Sequence, residues 1–129
     1  MWMNCLIVGL GGFVGAVARY LLGGWVQQRW GAGFPYGTLV INVSGSFVLG
    51  LFATLALRLA WSEQWRLLIA VGFVGAYTTF STFEYETLRL IADGNRYQAA
   101  LYLLGSVIAG FFAAYLGVVT ARLLLRGHL

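Results

Sequence analysis

Thr38, Asn42 and Ser46 stand four residues apart, so a helix would carry all three on one face. In a chain that is 60% apolar, that face lies within lipid. A side-chain amide at membrane depth is costly without a partner and normally turns toward the interior of a bundle. Asn42 can therefore be glue between helices, or a hydrogen-bond donor to something passing through. A second cluster is the string Gly75-Ala76-Tyr77-Thr78-Thr79-Phe80-Ser81-Thr82-Phe83, with four hydroxyls in the five residues 78–82. Ser and Thr offer hydrogen bonds to nearby backbone and compete with the helical ladder. Beside Gly72 and Gly75 they predict a break in the helix. Broken backbone at that depth survives only inside protein or beside a cavity. Its carbonyls can hold a small cation, while amide and hydroxyl hydrogens can meet an anion.

Phe80 and Phe83 are three apart and share a face if the helix has resumed by then. Two Phe at that spacing ordinarily pack a core, yet a ring edge is weakly positive and can touch an anion. Tyr102 and Ser106, four apart, add two hydroxyls to one face of a later helix. Glu84 and Glu86 fall near the end of the third apolar stretch, where water or arginine can reach them. Catalytic chemistry is not indicated, because no nucleophile sits beside a base. His128, one residue from the end, reads as a solvated terminal side chain, and Cys5 as ordinary packing. No pair of His or Cys has the spacing of a zinc site.

The elements that position these residues follow from charge. Only 9% of the 129 residues are charged, as eight Arg, no Lys and four acids, against about a quarter in soluble domains. Too few charges remain to cover a soluble globule. Disorder is excluded by the 21 aromatic residues that need burial. Arginines spread singly over apolar stretches make no basic stripe, so nucleic acid is not a partner. A spanning helix needs roughly 20 apolar residues, and the chain divides into four, near 3–28, 36–58, 65–90 and 97–123. Gly31-Ala32-Gly33-Phe34-Pro35, Ser62-Glu63-Gln64 and Asp93-Gly94-Asn95 are the turns between them. Residues 1–129 are expected to form a single all-α transmembrane domain. The first stretch has no positive charge in residues 1–4, which argues against a cleaved signal peptide.

Four spans put Arg58, Arg66, Arg122 and Arg126 on one side of the membrane and Arg29, Arg89 and Arg96 on the other, with Arg19 near the end of the first helix. Positive charge normally selects the cytoplasmic side, and here the two sides nearly balance. Either other features select one orientation, or the chain inserts both ways and pairs as an antiparallel homodimer with sites at the midplane. The 18 glycines include Gly11 and Gly15, while Ser46 with Gly50 and Ser106 with Gly110 and Ala114 repeat the same spacing. Small residues four apart let helices approach closely in lipid, so a tight bundle is expected.

The strings Gly37-Thr38 with Asn42-Val43-Ser44-Gly45, and residues 75–83 followed by Glu86, resemble the small fluoride-channel family called Fluc or CrcB. The resemblance covers essentially the whole chain. It implies a dual-topology homodimer in the bacterial cytoplasmic (inner) membrane that lets fluoride leave down its gradient. Two antiparallel pores and a central structural sodium ion belong to that expectation. By motif, Phe80 and Phe83 are the pore phenylalanines and Asn42 donates to the fluoride ion. Thr38, Thr79, Ser81, Thr82, Tyr102 and Ser106 are polar neighbours of the path, and Arg19 and Glu86 stand at the vestibule. The backbone carbonyls of Gly75 and Thr78 bind the sodium. Gly110 stands where some relatives carry Ser. Larger halides are expected to fail in a bundle too tight to widen. A proton-coupled multidrug exporter, the alternative, needs a carboxylate deep in the membrane, and Glu63 is the only acid in the first three-fifths of the chain. In a passive assembly or holin-like protein, Asn42 and the hydroxyl cluster would be superfluous.

Overall fold

A computed structural model describes residues 1–127; His128, one residue from the end, lies outside the described residues. Lipid offers backbone groups no water, so apolar stretches of this length satisfy their hydrogen bonds internally as helices. The first span is α1 (Trp2–Trp30) and the second α2 (Tyr36–Arg58). The third span runs through a short α3 (Glu63–Arg66), a π-helix (Leu67–Val74), a three-residue α4 (Gly75–Tyr77) and α5 (Phe80–Ala92). The fourth is α6 (Arg96–Arg126). All four are long and apolar enough to cross a membrane. Their limits lie within three residues of those expected from the sequence.

Arg29, Arg58, Arg89 and Arg126 occupy the last turns of α1, α2, α5 and α6. A cation there complements the negative end of the helix dipole. Because successive spans reverse direction, this local preference deals arginines alternately to the two membrane faces. Trp2, Trp25, Trp30, Trp61 and Trp65 are exposed near the span ends, as amphipathic rings at the lipid–water boundary are.

The helices meet through their small residues. The tightest seam joins α1 to the π-helix, where Gly11, Gly15 and Gly72 are buried. A Cβ on Gly72 would stand 2.6 Å from the Val8 carbonyl oxygen and 3.0 Å from the Gly11 Cα. Backbone therefore touches backbone, and nothing larger than glycine fits. A second seam pairs α2 with α6, through Gly50 against Ala114 and Gly117 against Phe47 and Leu51. Beside it, Phe83, Leu90, Ala99 and Tyr102 form a cluster that Phe34 and Leu39 flank. Large apolar side chains otherwise face outward, among them Phe13, Phe80, Phe111 and Phe112.

Candidate functional site

Helical geometry is left at two residues of the third span. Thr78 (φ −82°, ψ 156°) and Thr79 (φ −148°, ψ 108°) are extended. Asn42 on α2 holds this segment by both ends of its amide. Its Oδ1 accepts from the Thr79 N–H at 2.8 Å, and its Nδ2 donates to the Thr79 carbonyl at 3.1 Å. An amide nitrogen carries two hydrogens, so one N–H of Asn42 remains. Thr79 is also the cap of α5, accepting from the Thr82 N–H at 3.4 Å. In an unbroken helix, the N–H of Thr79 would bond the Gly75 carbonyl and that of Thr82 the Thr78 carbonyl. Both are turned elsewhere, so both carbonyls lack their helical donors.

Around this segment lies a cavity of about 330 Å³, lined by Asn42, Ser46, Thr79, Phe80, Phe83 and Ser106 among others. None of its lining residues is charged. Phe80 and Phe83 are neighbours with ring centroids 6.0 Å apart and planes tilted by 47°. They differ sharply in cover, since Phe83 is 5% and Phe80 71% exposed. The Ser106 Oγ is buried and has no hydrogen-bond partner. Gly110 leaves space beside it, where a Cβ would meet only the Ser46 Oγ, 3.6 Å away. Ser46 itself donates to the Asn42 carbonyl at 2.8 Å, within its own helix.

A second cavity, of about 340 Å³, is lined by Arg19, Gln27, Thr38, Thr79, Thr82 and Glu86 among others. Thr79 belongs to both cavities. Here Glu86 accepts from the Thr38 hydroxyl at 2.9 Å and from the Tyr102 hydroxyl at 2.7 Å. Tyr102 is almost wholly buried and meets Phe83 edge-on, centroids 5.1 Å apart. Of the residues singled out in the sequence, Ser81 stands apart: it is exposed and lines neither cavity. Gly75 is exposed too, outside both cavities, while Thr78 lines the first. Glu84 is exposed, away from the Thr38–Glu86–Tyr102 cluster. Cys5 is likewise exposed rather than packed in the fold. No group of three or more metal-ligating side chains forms among the described residues.

Residues 6–118 match the family described as CrcB-like protein, Camphor Resistance (CrcB). The chain belongs to the CrcB family. It is similar to proteins named fluoride-specific ion channel FluC from several organisms. The one from Acidobacterium capsulatum is 50% identical over 93% of this chain and 97% of the relative. That from Roseiflexus sp. is 46% identical over 95% and 99%, and that from Thermus thermophilus 49% over 87% and 88%. CrcB relatives are thus ion channels rather than enzymes, and this member is a multi-pass membrane protein.

Two features of this CrcB chain have no local signal in the sequence. Gln27 uses its whole amide on the α1–α2 turn. It accepts from the Gly37 N–H at 3.0 Å, and donates to the Phe34 carbonyl at 2.9 Å and to the Gly31 carbonyl. The turn so fixed delivers Thr38 to Glu86. The Ser44 and Tyr77 hydroxyls meet at 2.9 Å. Neither residue belongs to a periodic pattern, and the partners are ten and 33 residues apart.

Proposed function

We propose that the chain is a fluoride channel that works as an antiparallel homodimer in the bacterial cytoplasmic membrane, passing fluoride out of the cell down its gradient. The observation that carries this reading is the uncharged cavity beside the extended Thr78–Thr79 segment. It offers hydrogen-bond donors and ring edges but no fixed positive charge. Fluoride is small and strongly hydrated, so its path must replace water without trapping the ion. The free N–H of Asn42, the unpartnered Ser106 hydroxyl and the edges of Phe80 and Phe83 are donors of that moderate strength. Conduction needs binding strong enough to enter and weak enough to leave. Arg19 draws the ion into the second cavity, and Thr82, whose hydroxyl accepts from Thr79 at 2.8 Å and keeps its own hydrogen free, hands it toward Asn42. The exposed flank of Phe80 is closed by the second copy, which gives two pores per dimer.

The freed carbonyls of Gly75 and Thr78 suit a sodium ion at the dimer centre, with both copies contributing oxygen. Unwound backbone carbonyls are a recurrent sodium ligand in membrane proteins, and the exposure of Gly75 leaves its carbonyl within reach of a partner chain. Bound there, sodium would supply positive charge to the carbonyls of Gly75 and Thr78 from both copies. The test is fluoride efflux from proteoliposomes with wild type, Phe80→Ile and Asn42→Ala. Both substitutions are expected to cut flux at least about tenfold, Asn42→Ala through loss of roughly one hydrogen bond to a charged ion and Phe80→Ile through loss of an electropositive ring edge. Equal fluxes in all three would remove these residues from the mechanism, and chloride leaving as fast as fluoride would refute selectivity.

A further inference from the structure

Three residues of α4 lie between the π-helix and extended Thr78. They continue the π-helix without a break, since Val74 and Gly75 are both right-handed helical and the Thr78 N–H still bonds the Val74 carbonyl at 3.0 Å, so α4 is the last turn before the chain extends. Tyr77, its last residue, is buried to 6% exposure and carries the only side chain of α4 that bonds across to another helix. The Ser44 Oγ has one hydrogen, which it gives to the Ile41 carbonyl at 3.2 Å. Tyr77 therefore supplies the hydrogen of the 2.9 Å contact with Ser44. Phe73 stacks on the tyrosine ring at 5.5 Å, nearly parallel. Gly45 makes room on α2 for both Thr78 and Tyr77, since a Cβ there would overlap the Thr78 Cγ2 and lie 3.1 Å from the ring. Asn42 grips the chain on the far side of Thr78, and Tyr77 grips it on the near side.

We infer that the Tyr77–Ser44 hydroxyl pair is a positioning device for the carbonyls of Gly75 and Thr78, and so sets the affinity for the central cation. Tyr77 lies between those two residues in sequence and lines neither ion cavity. Its hydroxyl locks the height of α4 against α2 while Asn42, part of the ion path, locks Thr79. Asn42 also orients the Thr78 carbonyl, because the Thr79 N–H it holds belongs to the same planar peptide, whereas Tyr77 acts on the cation site without lining the route of the anion. The inference rests on the sodium reading above, and its test separates the two.

The experiment is a sodium titration, against N-methyl-D-glucamine, of the thermal unfolding midpoint of purified full-length protein in detergent. Wild type, Tyr77→Phe, Ser44→Ala and the double variant are compared, with Thr120→Val as a hydroxyl-loss control. Thr120 bonds only the Leu116 carbonyl of its own helix. In both single variants the sodium concentration giving half the stabilisation is expected to rise about 3- to 10-fold, as one net hydrogen bond predicts. The double variant should match the singles, because both remove one interaction. Thr120→Val should not move it. Fluoride-over-chloride selectivity at saturating sodium should be unchanged in Tyr77→Phe. A sodium-responsive wild type with unmoved midpoints in Tyr77→Phe and Ser44→Ala overturns the inference alone. A wild type indifferent to sodium overturns the cation reading, and this inference with it.

Discussion

Each oxygen of the Glu86 carboxylate receives one hydroxyl hydrogen, from Thr38 and from Tyr102. A bare carboxylate beside an anion route would repel the ion, whereas one with both oxygens engaged is held back against its own bundle. Tyr102 is the buried member, so its hydroxyl cannot be replaced by water without repacking. Tyr102→Phe is expected to lower stability by about 1.5–3 kcal/mol, the range for a hydrogen bond to a charged group. The thermal unfolding midpoint in detergent measures it, and an unmoved midpoint would mean that Glu86 finds another donor. The face carrying Thr38, Asn42 and Ser46 was legible from spacing alone. Their partners were not, because Glu86 and Thr79 lie 48 and 37 residues away and no periodicity links them. The same holds for Phe80 and Phe83. Spacing made them neighbours, but only the fold decides that one is buried and the other bare.

At the scale of elements, the seam between α1 and the π-helix decides how closely the third span can approach. Gly11 and Gly12 are adjacent in sequence and opposite in surroundings. A Cβ on Gly11 would overlap the Leu68 carbonyl, whereas one on Gly12 would meet nothing nearer than 3.8 Å. Gly11→Ala is therefore expected to cost about 1–3 kcal/mol through overpacking. Gly12→Ala should be neutral or slightly stabilising, since Ala is the better helix former. Unfolding midpoints of the two variants check this, and equal losses would refute the seam. The four-residue spacing of small residues announced a close contact. It could not announce a π-helix, because Leu67–Val74 is uniformly apolar and carries no mark of which carbonyl each N–H will choose.

For the whole molecule, the balance of arginines has a local origin. Each long helix ends on one, and the chain reverses at every turn. A protein built this way carries almost no orientation signal, which suits a pair of opposed copies. A reporter fused to the carboxyl terminus is expected to give signal from both sides of the membrane in roughly even amounts. Arg122→Gln with Arg126→Gln should shift most copies to an exterior carboxyl terminus. Signal from one side only in the wild type would rule out dual insertion. The number and limits of the spans were legible in the sequence because uncharged runs of this length have one physical outcome. Which outward faces would meet lipid and which a second copy was not, since the exposed large side chains of the spans are apolar throughout.

The Gln27 clasp carries a consequence for how the chain is made. All of its partners lie within the first 37 residues, so the hairpin of α1 and the start of α2 can close as soon as those residues leave the ribosome. Thr38, Ser44 and Asn42 must wait, because what they bind is synthesised 33 to 48 residues later. Biogenesis thus has two stages written into one helix: its first residue turn is finished early, and the rest stays open until the threonine segment arrives.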